Sequence, residues 1–188
     1  MPDHYRFPRR GLRHALLSLP VLAGVALLGA SPVLAAEPSN MAALRAQALE
    51  LVNRSRAAQD LDPLRPGENL DEAAQAHAAD MLRRDYFAHE APDGSSVRDR
   101  YIEAGGAPPG LIAENIGRCT GCGPQVEAAR IRRFHEGFMA STGHRENILR
   151  RGLDRFGFGV AVQGGQIAVV QTFAGPGPDR PRTGVRQR

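Results

Sequence analysis

The chain contains no tryptophan and no lysine, only two cysteines, and few aromatic residues, 5% in all. With aromatics this scarce, a packed interior has to be assembled mainly from leucine, isoleucine, valine and alanine. A single cysteine pair excludes a four-cysteine zinc ribbon. No histidine follows Cys122, which excludes a c-type haem attachment sequence. No serine sits in a Gly-x-Ser-x-Gly elbow, so the sequence gives no support to a Ser-His-acid hydrolase built on Ser141 and His144. His135-Glu136 opens like a zinc-protease helix, but Met139 stands where the second metal ligand would fall one turn later. There is no internal repeat.

Long apolar runs are also missing. The longest, about Ala15 to Leu28, is shorter than the ~20 residues a membrane helix needs and is interrupted by Pro20. It follows Arg6, Arg9, Arg10 and Arg13 and ends in the small residues of Val33-Leu34-Ala35-Ala36. That order of charge, apolar core and small residues predicts a signal peptide over residues 1–36, cleaved after Ala35 or Ala36. Arg9-Arg10-Gly11-Leu12 leaves both the general and the twin-arginine export routes open. Of 24 basic and 20 acidic residues, the leader holds four arginines and Asp3, so the mature chain carries 20 and 19, a net charge of +1. The basic character belongs largely to the leader, and the mature body predicts no nucleic-acid partner. All-arginine usage fits a GC-rich bacterial genome. After a short linker at 37–40, residues 41–174 suit one domain with a real core. Residues 175–188, rich in proline, glycine and arginine, predict a disordered tail.

Within the body, Leu44, Ala48, Leu51, Val52 and Ser55 recur at helical spacing, giving a helix over 41–59 that breaks at Pro63 and Pro66. A second helix, capped by Asn69 or Asp71 and running to Arg84, turns Leu70, Ala74, His77, Ala78 and Met81 inward. His77 on that stripe reads as a packed core histidine. Asp93-Gly94-Ser95-Ser96 is a turn followed by a cap, and the short helix from Val97 ends at Gly105-Gly106. An extended piece over 111–116 follows, then a helix over 125–139 with Pro124 at its entry. Two apolar runs, 156–162 and 166–173, flank Gln163-Gly164-Gly165 and predict an antiparallel hairpin. Helices first and a hairpin last give an α+β fold.

Cys119-Thr120-Gly121-Cys122 in an exported chain reads first as a local disulfide between Cys119 and Cys122. A loop this short removes little unfolded-state entropy, so the bond should stabilise at the low end of the ~0–5 kcal/mol range. A redox dithiol is the other reading, without the thioredoxin-like pattern that would ordinarily frame it.

The chemistry-bearing stretches are Phe87-Ala88-His89 with Pro92-Asp93-Gly94, Ala113-Glu114-Asn115-Ile116, and Ser141-Thr142-Gly143-His144-Arg145-Glu146-Asn147-Ile148-Leu149. Two imidazoles and a carboxylate, each beside a turn, are the ingredients of a polar site that can share a metal or a proton. Three unrelated turn residues would give the same pattern.

Taken in order with Leu51-Val52-Asn53-Arg54-Ser55-Arg56, Ala76-His77-Ala78-Ala79-Asp80-Met81 and Gly157-Phe158-Gly159-Val160, these boxes resemble the CAP superfamily of cysteine-rich secretory, antigen 5 and pathogenesis-related 1 proteins. The likeness is to its bacterial secreted members and spans about 41–173. It implies a three-layer α-β-α sandwich with an open cavity holding two histidines and two acids. Carried over, His89, Glu114 and His144 fill three places, and Glu136 is the candidate for the fourth. Ala113 for the usual glycine, Phe138 for tryptophan and the cysteine loop are departures.

The resemblance implies a secreted or periplasmic monomer with no stable membrane span. Its cavity would bind zinc or another divalent metal, with no organic cofactor, together with an extracellular or envelope ligand such as a lipid, glycan or peptide. The alternative is a hydrolase in which Glu114 serves as base and a histidine-bound metal polarises a carbonyl or water.

Overall fold

The structure is a computed structural model and describes residue 35 and residues 37–176. The proposed signal peptide, apart from Ala35, and most of the proposed tail lie outside the described residues. The described residues fall within one compact unit.

Among the described residues, five helices and four strands run in the order α1 (Met41–Ala57), β1 (Arg65–Pro66), α2 (Glu68–Arg83), α3 (Val97–Glu103), β2 (Leu111–Cys119), α4 (Ala128–Ala140), α5 (Thr142–Ile148), β3 (Arg155–Gln163) and β4 (Gln166–Gly175). The sheet order is β1-β3-β4-β2, antiparallel except where β1 lies parallel to β3. The expected hairpin is β3–β4. Its turn residues Gly164 and Gly165 have φ of 55° and 77°, the left-handed geometry that a type I′ two-residue hairpin loop requires at both positions.

Alternation along the strands separates two cores. Phe156, Phe158, Val160, Ile167, Val169 and Phe173 face one side, where they meet Leu44, Val52, Ile131 and Phe138 from α1 and α4. Ala161, Ala168, Val170 and Ile116 face the other, against Ala74, Ala78 and Met81 of α2. Bulk thus lies toward α1 and α4, while β3 offers α2 only Gly157, Gly159 and Ala161. The helix consequently comes down onto the strand itself: a Cβ on Gly159 would stand 2.3 Å from the Ala74 carbonyl carbon.

Past Phe156 the outer edge of β3 has no partner strand, and side chains take over its hydrogen bonds. Phe158 N donates to Asp71 Oδ1 at 2.7 Å, Val160 N to Gln75 Oε1 at 3.0 Å, and Arg45 Nε donates to the Phe158 carbonyl at 3.2 Å. This satisfies an edge that would otherwise invite another chain.

Four elements differ from the expectation. Helix α2 starts at Glu68 with Gly67 as its N-cap residue, so neither Asn69 nor Asp71 caps it; Asn69 donates to the Ala104 carbonyl and Asp71 accepts from Phe158 N instead. Helix α4 begins at Ala128 rather than at 125, with Glu127 extended as its N-cap residue (ψ 166°). The segment around His144 is a helix, not a turn; at seven residues it is too short to show periodicity. Strand β1 occupies part of the proline-marked break, because two residues at a sheet edge tolerate Pro66. The cap of α3 forms as expected: Ser96 Oγ accepts from Asp99 N, while Asp99 Oδ2 accepts from Ser96 N at 2.9 Å.

Candidate functional site

Strand β2 is the edge of the sheet, and its alternation decides what each functional residue sees. Glu114 projects to the side of α2 and α3, and Asn115 projects to the side of α5. Buried Glu114 is a carboxylate with both oxygens engaged. Oε1 accepts from His89 Nδ1 at 2.9 Å and Oε2 from Arg100 Nη2 at 3.0 Å. The side chains of Glu114 and Arg100 are only 3% and 9% exposed, so the pair is screened little by water. Arg100 also donates to the carbonyls of His89 and Ser95, at 2.9 and 2.8 Å, which ties the histidine-bearing loop to α3.

An ionised carboxylate can only accept, so His89 Nδ1 carries a proton, and in the neutral ring Nε2 is then the nitrogen with the free lone pair. The His89 side chain is 58% exposed, in contrast to its partner. The result is a buried acid orienting an open imidazole, the arrangement that fixes ring direction and tautomer for a metal-ligating or proton-accepting histidine.

His77 is fully buried on α2, as expected of a core histidine, yet its Nε2 stands 3.8 Å from Glu114 Oε1. Nε2 donates to the Ala88 carbonyl at 3.0 Å, and Tyr86 Oη lies 3.3 Å from Nδ1 while donating to Asp80 at 2.7 Å. Burial lowers the His77 pKa, outweighing the Glu114 charge that acts to raise it. At neutral pH the ring is therefore uncharged, and its approach to Glu114 is not an ion pair.

His144 reaches the site from the other side of β2. Asn115 Nδ2 donates to the His144 carbonyl at 3.1 Å and to Gln171 Oε1 at 3.1 Å. Asn147 Nδ2 donates to the Glu114 carbonyl at 3.1 Å and to Asn115 Oδ1 at 3.0 Å. Buried Arg56 holds the far end of α5 through the carbonyls of Ile148 and Arg150, at 2.9 and 3.0 Å. The His144 ring packs edge-on to Phe138, with centroids 5.1 Å apart. Burial lowers its pKa first, and repulsion from the protonated form of nearby His89 lowers it further, which puts the two imidazoles within electrostatic range.

His89 and Glu114 are thus brought together, with His144 near His89 on the far side of the strand. Glu136 is not brought to this cluster. It is exposed on α4, two residues from both Phe134 and Phe138, which pack toward Gly117 of β2; at ~100° per residue it faces the opposite way. Among the described residues, no three His, Cys, Asp or Glu side chains are grouped closely enough to hold a metal ion. The nearby concavity, about 430 Å³, is lined by His77 and Arg100, the partners of Glu114, beside Asp80, Arg84 and Asp93, and not by His89, Glu114 or His144 as the resemblance implied. Sequence reasoning missed Arg100, Asn115 and Asn147 as site-building residues. The two asparagines lay inside quoted motifs, and their amide partners emerge only from strand register. Cys119 and Cys122 are joined in a disulfide, as expected.

Two buried histidines make stability depend on pH. His135 is 7% exposed, with Nε2 2.8 Å from Ser55 Oγ, and burial lowers its pKa as it does that of His77. Their reference value is 6.5. Above it both states are neutral; below it the unfolded chain binds protons that the folded chain resists, so stability is lost as pH falls from about 6.5 toward the lower folded values. Urea midpoints should therefore decrease steadily between pH 7.5 and 5, and a flat profile would contradict this reading.

Residues 49–173 match the cysteine-rich secretory protein (CAP) family. The uncharacterised protein YkwD of Bacillus subtilis (strain 168) is 32% identical over 134 residues, covering 71% of this chain but 48% of that protein. The chain therefore spans about half the length of this curated relative. An extracellular SCP-domain protein of Bacillus anthracis str. Ames, solved at 1.5 Å, aligns with TM-score 0.57 and 25% identity over 71% of this chain and 40% of that one. An outer surface protein of Borrelia burgdorferi aligns with TM-score 0.59 and 16% identity over 75% and 98% respectively. No helix among the described residues is long and apolar enough to cross a membrane. The three-layer sandwich, the Glu114–His89 pair on its edge strand and the match over most of the folded body lead to one conclusion: the chain belongs to the CAP family.

Proposed function

We propose that the protein is exported and acts outside the cytoplasm as a binding module, presenting His89 and His144 to a divalent metal and an extracellular or envelope ligand. The observation that carries this is the His89–Glu114 hydrogen bond, which directs Nδ1 to the acid and leaves Nε2 of the neutral, exposed ring free to bind. The residues present do not fit a three-ligand set that includes Glu114, because His89 and Arg100 already occupy its oxygens. They fit a weaker site in which the two imidazoles bind and Glu114 orients one of them. Zinc suits such nitrogen donors and would supply a Lewis-acid point for an oxygen-bearing ligand such as a glycan, lipid headgroup or peptide.

Binding of zinc to the mature protein should be weak. It should fall as pH drops below ~6.5, since only neutral imidazole coordinates. Burial holds His144 neutral to lower pH than a free imidazole. In calorimetric titration, His89→Ala and His144→Ala should each weaken binding at least tenfold; equal binding by wild type and the double variant would remove the metal claim.

A second reading, a hydrolase, draws on the same hydrogen bond, since a carboxylate-oriented imidazole is a general base. In that case His89 takes the proton and Glu114 positions it. Glu114 is an unsuitable base while Arg100 and His89 hold both its oxygens.

A further inference from the structure

The Cys119–Cys122 pair takes no part in the site above, and its surroundings do more than lock a loop. Cys119 ends edge strand β2, and Cys122 lies in the following loop, pinned to the hairpin turn by its N–H to the Gly165 carbonyl at 3.1 Å. Both cysteines are half-buried. Arg130, on the first turn of α4, grips Cys122 at two points: Nη1 lies 3.2 Å from Sγ and Nη2 donates to the carbonyl at 3.0 Å. A concavity of about 370 Å³ opens beside them, walled by Cys122, Pro124, Glu127, Arg130 and Arg133.

A disulfide sulfur is a poor acceptor, so a guanidinium aimed at it gains little while the bond is closed. Once the bond opens, the same contact becomes a charge-assisted hydrogen bond to a thiolate. Opposite charge at this range lowers an acid's pKa by ~1–3 units, and arginine neighbours are among the groups that depress cysteine pKa values. The arrangement therefore favours the reduced pair, which makes the closed one more oxidising. Opening the bond should not unfold the domain, since so short a loop contributes little stability. Gly121 and Gly123, with φ of 73° and 75°, have open space where a Cβ would stand, so the loop has room to rearrange.

We propose that Cys119–Cys122 is a thiol–disulfide exchange site that oxidises cysteine thiols of an exported polypeptide, with Arg130 as its positioning residue. A thiolate of the partner enters the concavity and attacks Cys122 Sγ. The Cys119–Cys122 bond breaks, and Cys119 leaves with the bonding pair and takes a proton from solvent. The partner's second thiolate then attacks the partner sulfur of the mixed disulfide, expelling Cys122 as a thiolate held by Arg130. The partner loses two electrons and gains a disulfide, and the pair gains the two electrons. A disulfide of the extracytoplasmic space reverses the exchange and regenerates the site.

The test uses the mature protein with reduced and oxidised glutathione as the probe. Alkylation and mass spectrometry follow the fraction reduced, and thiolate ultraviolet absorbance gives the Cys122 pKa in Cys119→Ser. Cys122 should titrate at least one unit below the ordinary ~8.5. Arg130→Gln should raise that pKa by roughly one unit and shift the glutathione equilibrium roughly tenfold toward the disulfide, while Arg130→Lys should retain most of the effect. A Cys122 pKa at or above ~8.5, or a glutathione equilibrium indifferent to Arg130→Gln, would overturn the proposal. Should Cys119→Ser disturb the loop, the equilibrium on the intact pair decides by itself.

Discussion

Arg100→Met should destabilise the protein by about 3–5 kcal/mol, because removing one partner of a buried ion pair strands the other charge. Glu114 would keep its place at 3% exposure with Oε2 unpaired, and the carbonyls of His89 and Ser95 would lose the arginine, Ser95 keeping only Ala91 N as its donor. For a domain of this size the melting temperature should fall by on the order of 10 °C. Removing both charges, as in Arg100→Met with Glu114→Leu, should recover much of the stability, since apolar replacements of a whole buried pair are often neutral. The double variant would still lose His89 orientation and with it zinc affinity. Equal stability of Arg100→Met and wild type in urea would show that the pair is hydrated and that Arg100 does not hold the site.

Gly159→Ala should be comparably damaging although it adds one methyl group. The new Cβ would stand 2.3 Å from the carbonyl carbon of Ala74 and 2.3 Å from Gln75 N, both helix backbone atoms that no side-chain rotation can move. Overpacking ordinarily costs ~1–3 kcal/mol, and a clash with backbone belongs at or above the top of that range. Relief requires α2 to lift from β3, which would break the Gln75 hydrogen bonds to Val160 and carry His77 away from Glu114. Gly137→Ala, at a helical position with open space, serves as the control and should be neutral or slightly stabilising. A Gly159→Ala protein with unchanged urea midpoint would mean that α2 packs less closely than described.

Much of the fold was legible because its signals are local. The stripe of Leu44, Ala48, Leu51 and Val52, the Ser96 cap and the Gly164-Gly165 turn each specify backbone geometry within a few residues. Glycine at 157 and 159 was read only as part of a motif. Its physical meaning, a strand face cleared for a helix, requires knowing which helix arrives. Strand β1 and helix α5 escaped because two and seven residues carry no periodicity.

The candidate site divides the same way. Sequence by itself singled out His89, Glu114 and His144 as candidate polar groups, and Cys119 and Cys122 as a loop-closing pair, because those residues sit in short stretches with strong turn and resemblance signals. Only the tertiary structure decided which of them meet and which partners they take. Alternation on edge strand β2 sends Glu114 to one side and Asn115, which holds the His144 backbone, to the other, so the expected three-ligand set becomes an acid–imidazole pair with a second imidazole nearby. It also turned Glu136 outward, gave Glu114 a buried arginine from a short helix, and placed a core histidine beside Glu114 and a guanidinium beside Cys122. Those partners lie 8 to 37 residues from the groups they serve. Local propensity sets each segment's conformation, but strand register and helix packing set which side chains meet across such separations.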